Sequence, residues 1–340
     1  MKKIIWVSLG VLVGLVAIAL ALAAFHPDRY EVIRHRTLKG SPIFGYGMVA
    51  DFSYWNQWSP WFPMDTAAVY TFSEKTTGVG AYMRWEGKKI GVGTLTFTEM
   101  VPFEKITYDL VFEEPFKSKS QGEFLFSLES NAMQITWKDQ GALPYPFGRL
   151  MDMVWGFDAM IGHDFEVGLS RLDSVISDLP RVDMNQIQTA KMEAAAFLTL
   201  PLTTIPDSVH LQWVNAYSRL SETALQLGLE PAGSTVCFYH TFEPSKVNME
   251  PGLPVKGNIP VDANPPAPFR LRREPAHEAL RFVHIGDIHQ MHYAYDALSI
   301  YMNAFGYEET SGPMEEMGAN LAASSQMQGE VWISWPVRKK

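Results

Sequence analysis

One block of this chain occurs twice. Ala216-Tyr-Ser-Arg-Leu220 returns as Ala294-Tyr-Asp-Ala-Leu298, and Gly228-Leu-Glu230 returns as Gly306-Tyr-Glu308, both at an offset of 78 residues. Leu253-Pro-Val255 returns as Trp335-Pro-Val337 at an offset of 82. A unit too small to bury its own sheet face must pack against its copy, so the repeat predicts a pseudo-symmetric pair. Each copy reads strand, helix, strand, strand. The first runs Lys191–Leu202, about Ser208–Leu227, Thr235–Phe242 and Val247–Val255. The second runs Phe269–Ile285, about Gln290–Phe305, Glu316–Ala322 and Glu330–Val337, and the Pro-rich stretch 260–268 joins the two. The units span about 190–256 and 268–338.

The chain ahead of the repeat is patterned differently. From Tyr30 to about Ser177 it is mainly β, with Glu31–Leu38 as a first strand and period-two alternation in Thr94–Thr98, Tyr108–Phe112, Gly122–Leu128 and Met133–Trp137. Gly78-Val-Gly80, Gly91-Val-Gly93 and Ser130-Asn131 punctuate these as turns. The period then changes. Leu150, Met153, Val154, Phe157, Ile161, Phe165, Leu169, Leu172 and Ile176 predict one long helix whose apolar stripe crosses the preceding sheet. The polar, proline-containing stretch Asp178–Asn185 places a domain boundary there, giving residues 30–178 and 179–340.

Residues 1–29 form a third region. Lys2 and Lys3 precede 22 uncharged residues, Ile4 to Phe25. That run is longer than a signal-peptide core and long enough to span a bilayer, so it predicts an uncleaved anchor, with cleavage near the small residues Ala19 to Ala24 as the alternative. Lysines on the short side place both domains outside the cytoplasm, on the periplasmic side of a single-pass membrane protein. The chain carries a net charge of −9 and neither domain is basic, which argues against nucleic acid as a partner. One cysteine, Cys237, excludes an internal disulfide. His284, His289 and His292 lack the spacing of a zinc protease, and no metal or cofactor is expected.

Asp51-Phe-Ser-Tyr-Trp-Asn-Gln-Trp-Ser-Pro-Trp61 crowds three indoles at three-residue spacing. Such a cluster is either a lid of ordinary core or the mouth of an apolar cavity, with Trp55, Trp58, Trp61 and the later Trp85 lining it. With Gly78-Val-Gly-Ala-Tyr-Met-Arg-Trp-Glu-Gly87 and Ile161-Gly-His-Asp-Phe-Glu-Val-Gly-Leu169, the stretch resembles the START-like SRPBCC superfamily. That resemblance implies a helix-grip fold around a cavity, as in lipid carriers and polyketide cyclases.

The duplicated half resembles the gyrase-inhibitor-like domain, also found as the effector-binding half of multidrug-sensing transcription activators. Tyr239-His-Thr-Phe-Glu243, Met249-Glu-Pro-Gly-Leu-Pro-Val255, His284-Ile-Gly286 and Gly329-Glu-Val-Trp-Ile-Ser-Trp-Pro-Val337 carry it. No helix-turn-helix precedes it here. The resemblance implies a cleft for hydrophobic or lipophilic-cationic molecules, with Glu330 or Glu250 as the buried carboxylate. Trp332, Tyr239 and Trp213 would offer ring faces to a cation.

The expected architecture is therefore α+β: a helix-grip START-like domain and a duplicated effector-binding domain behind one transmembrane helix. The expected function is membrane-tethered binding of a hydrophobic small molecule. The competing expectation is an enzyme, either a cyclase-like first domain or a hydrolase-like second domain with Glu330 as general base. A scaffold with collapsed pockets is the third.

Overall fold

The computed structural model describes residues 2–129, 132–256, 265–318 and 328–340. The turn expected at Ser130-Asn131, residues 260–264 of the Pro-rich linker, and residues 319–322 of the strand expected over Glu316–Ala322 lie outside them. The chain divides into two compact units, Met1–Val182 and Asp183–Lys340. The described residues form an α+β structure with two antiparallel sheets and seven α-helices.

The first unit opens with α1 (Lys2–Phe25), of which Trp6–Phe25 is long and apolar enough to cross a membrane. β1 (Arg29–Leu38) leads through α2 (Pro42–Ala50) and α3 (Trp55–Trp58) into a meander. Its strands are β2 (Val69–Phe72), β3 (Tyr82–Gly87), β4 (Gly91–Val101), β5 (Lys105–Glu114), β6 (Ser118–Glu129) and β7 (Ala132–Ala142). The sheet runs β1-β7-β6-β5-β4-β3-β2, so the first strand closes against the last. Met133, Ile135, Trp137 and Asp139 alternate inward along β7, as period-two patterning requires.

The single helix expected across Leu150–Ile176 is two: α4 (Phe147–Trp155) and α5 (Phe157–Ser177). Gly156 between them has φ +70, which a right-handed helix cannot pass through. Asp152 fixes the break, its carbonyl accepting from the Gly156 N–H at 2.8 Å and its Oδ1 from the Phe157 N–H at 2.7 Å. Only α5 carries a buried stripe on the sheet, through Phe165, Leu169, Leu172 and Ile176. Leu150, Met153 and Val154 of α4 are not buried.

The second unit begins with β8 (Gln188–Met192), β9 (Ala195–Thr199) and β10 (Leu202–Thr204). Then come α6 (Val209–Gln226), β11 (Glu230–Pro231), β12 (Val236–Glu243) and β13 (Lys246–Lys256). β14 (Arg270–Glu274), β15 (His277–Asp287), α7 (Met291–Phe305), β16 (Tyr307–Glu309), β17 (Met314–Met317) and β18 (Gln328–Lys339) complete it. The sheet order β14-β9-β13-β12-β17-β18-β15-β8 reads as the same pattern from either end. The strands at its ends are exchanged: β8, ahead of the first copy, pairs with β15, and β14, ahead of the second, pairs with β9.

The halves meet where β12 pairs with β17, and there Cys237 faces Glu315 across the ladder. The offset of 78 carries one of these residues onto the other, so the pseudo-twofold passes between them. One sheet face packs against the helices: Trp213 of α6 and Met291 at the start of α7 meet Cys237, Met249, Met317 and Val331. Phe197, Val236 and Phe238 cluster separately, on the other face.

Candidate functional site

β17 reads Met314-Glu-Glu-Met317, and its alternation buries Glu315 and Met317. Glu315 is 5% exposed. Its Oε2 accepts from the Tyr239 hydroxyl at 3.0 Å and its Oε1 from the Tyr295 hydroxyl at 2.6 Å. Tyr239 comes from β12 across the axis and Tyr295 from α7, so the acid is held from sheet and helix at once. No cationic side chain pairs with it among the described residues. Burial pushes the Glu315 carboxyl up to about 7, against the two tyrosine hydrogen bonds that favour its ionised form. Burial, and then the charge of Glu315, hold both phenols well above their usual value.

Glu250 sits differently. It lies beside Phe238, and Thr199 Oγ1 donates to it at 2.6 Å. Arg272 Nη1 lies 3.0 Å from its Oε2, as does His240 Nε2. Burial would raise this carboxyl, but Thr199, His240 and Arg272 outweigh it and hold the group below the usual range. Arg272 also covers the Phe238 ring, its guanidinium carbon 3.9 Å from the centroid. Glu250 therefore already has its cation within the protein.

Glu330 is exposed, accepting from the Trp332 indole N–H at 2.6 Å. Arg281 stands over the Trp332 ring at 4.8 Å, so that face too is occupied by a protein cation. Trp213 is 3% exposed and donates to Thr235 Oγ1 at 3.1 Å. Of the five residues expected to line a cleft in this half, Tyr239 alone touches the buried acid that has no protein cation. Glu315 itself escaped the reading of the sequence, yet the repeat pointed to it: the position equivalent to Cys237 holds a glutamate.

In the first unit, the aromatic stretch is core rather than rim. Trp55 and Trp58 are fully buried, donating to the carbonyls of Val49 and Met48 at 3.0 and 2.9 Å. Their rings continue through Trp137 to Phe165 of α5, with centroid distances of 4.8, 5.7 and 3.9 Å along the series. Trp61 is half-buried and donates to Asp164 Oδ2 at 3.2 Å. Trp85 is 8% exposed and donates to the Ile90 carbonyl at 3.2 Å. Each indole has an internal partner and internal neighbours, which is how a core satisfies tryptophan.

The first unit has a buried acid of its own on β7, two residues beyond Trp137. Asp139 accepts from Tyr30 at 2.9 Å, Ser120 at 3.1 Å and Tyr108 at 3.2 Å. Gly122 and Gly141 make this possible, because a Cβ at either would overlap the Tyr108 or Tyr30 ring. Burial lifts the Asp139 carboxyl to about 6 despite these three donors. A cleft of about 740 Å³ opens at these strand ends, with Tyr30 and Ser120 in its lining.

The sequence matches no family model and no curated protein. Among similar solved structures is protein CV1439 from Chromobacterium violaceum, 18% identical over 43% of this chain and 96% of its own, with a TM-score of 0.34. The C-terminal domain of EcmrR is 17% identical over 46% of this chain and 98% of its own, with a TM-score of 0.38. The Aha1 protein from Colwellia psychrerythraea is 12% identical over 44% of this chain and 97% of its own, with a TM-score of 0.32.

Proposed function

We propose that this protein is a membrane-tethered receptor for lipophilic cations, with Glu315 as the counter-charge. The observation that carries the reading is a buried carboxyl bonded, among the described residues, only by neutral hydroxyls. An ionised carboxylate in such a place is costly unless a cation joins it. A cationic ligand with apolar rings supplies that charge, while Tyr239 and Tyr295 offer ring faces and hydroxyls beside it. Ligand entry would pull the Glu315 proton off, so binding tightens as pH rises through about 7.

On this reading the second unit is an effector-binding module of the gyrase-inhibitor type, and its palindromic strand order supports that. The first unit, a seven-stranded sheet gripping α5, is a START-like module. Residues 30–178 and 179–340 are the protein's two domains, α1 is the tether, and both domains stand on the extracytoplasmic side. The acidic surface favours no nucleic-acid role.

Fluorescence polarisation of a rhodamine dye against full-length protein at pH 8 tests the assignment. Glu315→Gln should weaken the dye at least about tenfold, equivalent to about 1.4 kcal/mol, and leave an uncharged analogue unchanged. Equal affinity of wild type and variant for the cationic dye overturns it. A carboxyl at about 7 also suits a general base. Turnover of ester substrates that is lost in Glu315→Gln, without dye binding, selects that enzymatic reading instead.

A further inference from the structure

Among the described residues, the apolar stripe of α4 is left largely open to solvent, with Leu150 and Met151 half-buried and the rest exposed. Phe147, Leu150, Met151, Val154 and Trp155 fall at i, i+3, i+4, i+7 and i+8, and no residue of this helix is buried. Phe147, Val154 and Trp155 are 77%, 69% and 61% exposed, and Tyr145 just ahead of them is 52% exposed. Single exposed apolar side chains are ordinary on a protein surface. A contiguous patch of this size on one short helix marks an interaction surface.

The other side of α4 clasps the end of α1. Arg149 Nη1 donates to the carbonyls of Ala23 and Ala24 at 3.3 and 3.2 Å, answering two of the carbonyls that a helix end leaves open. His26 Nε2 lies 2.7 Å from Asp152 Oδ2. The Tyr145 hydroxyl reaches further back, donating to the Leu20 carbonyl at 3.4 Å. Five residues of helix from Phe25 back to Leu20 span about 7–8 Å. A helix resting in a bilayer surface sits about 5–10 Å into the boundary between headgroups and acyl chains. Tyr145 thus reaches the level of Leu20, while α4 itself meets the last residues of α1, Ala23 to His26, where a spanning helix leaves the hydrocarbon.

From this geometry we infer that α4 stands in the headgroup layer beside the end of α1, with Phe147 nearest the upper acyl chains and Val154 and Trp155 among the headgroups. The inference rests on the proposed insertion of α1. Its chemistry fits the occupant: Trp and Tyr favour that boundary because each joins an apolar ring to a polar N–H or O–H. The first unit is then held to the membrane at two places, a spanning helix and a surface helix, rather than swinging from a single tether.

The test uses the full chain reconstituted in phosphatidylcholine–phosphatidylglycerol vesicles. A nitrobenzoxadiazole label is placed on Phe147→Cys, Val154→Cys, Leu12→Cys or Ser174→Cys; native Cys237 is fully buried and stays unlabelled. Ser174 is exposed, 17 residues along α5 from Phe157 and so about 25 Å from that helix's start. Nitroxide lipids carrying the spin at acyl carbon 5 should quench the labels at 147 and 154 about twofold more than lipids carrying it at carbon 12. The label at 174 should stay unquenched. Labels at 147 and 154 that behave like the one at 174, while Leu12 is quenched from carbon 12, overturn the inference and leave the tether standing. An unquenched Leu12 label defeats the tether, and the inference falls with it.

Discussion

The enclosed position of Glu315 makes the second unit's stability depend on pH in a calculable way. An unfolded glutamate titrates near the ordinary 4.5, whereas burial holds Glu315 at about 7. Between those values the folded state binds the extra proton, so stability is fully present below about 4.5 and is lost as pH rises through 7. With each pKa unit equivalent to about 1.36 kcal/mol, the loss between pH 5 and pH 8 comes to about 2.5 kcal/mol. Glu315→Gln removes the titration and keeps an oxygen for the tyrosine hydroxyls, so its stability should be flat over that range. Cys237 provides the assay, since it is the chain's one thiol, fully buried, and directly across the ladder from Glu315. Any opening that exposes its sulfur also frees the carboxyl. Its modification by a disulfide-exchange reagent, calibrated at each pH on urea-unfolded chain, should accelerate about 70-fold in wild type from pH 5 to pH 8. The variant should show no such acceleration. Parallel profiles would refute the reasoning and with it the isolation of Glu315 from cations.

Glu330→Gln should leave dye affinity and stability unchanged within about 0.5 kcal/mol, because that carboxylate is exposed; a tenfold loss of dye binding would move the site to the other sheet face. Arg272→Ala should cost about 3 kcal/mol in urea unfolding at pH 7, the lower end for breaking a buried pair, since His240 stays beside Glu250. That cost should shrink below about pH 4.5 as Glu250 takes up a proton, and a pH-independent loss would point to packing on Phe238 instead. Gly122→Ala should destabilise the first unit by about 1–3 kcal/mol, because its methyl group overlaps the Tyr108 ring. An unchanged melting temperature would mean that Tyr108 can leave Asp139 freely.

What the sequence disclosed and what it hid separate along physical lines. Helices α6 and α7 were legible because duplication repeats a pattern, and a repeated pattern reads through noise. The strands β4 to β7 declared themselves by alternation, since one face of each meets the core. The break at Gly156 did not, because the apolar period continues on both sides of it and a single glycine is often tolerated within a helix. Trp55 and Trp58 show a further limit: indoles at three-residue spacing demand a wall, but whether that wall encloses a space depends on Trp137 and Phe165, brought in from far along the chain. Likewise Glu250 and Glu330 looked alike on paper, but Glu330 is exposed, whereas Glu250 is buried among Thr199, His240 and Arg272, the last placed by the pairing of β14 with β9.

The exchanged end strands have a consequence for how this half of the chain comes into being. Thr189 pairs with Leu280, and Arg270 pairs with Thr199, so each copy is completed by a strand threaded from the other side of the duplication. Neither copy emerging from the ribosome can close its own sheet edge; until β15 arrives, β8 has no partner strand, and β9 waits for β14. Long-range pairings of this kind raise contact order and slow folding, and an unpaired edge invites pairing with another chain. A single copy on its own could meet the same need only by associating with a second molecule, each lending its leading strand to its neighbour. Fusing the two into one polypeptide turns a concentration-dependent encounter into an intramolecular one. It also leaves each copy free to diverge at the shared axis, where one now presents a thiol and the other an acid.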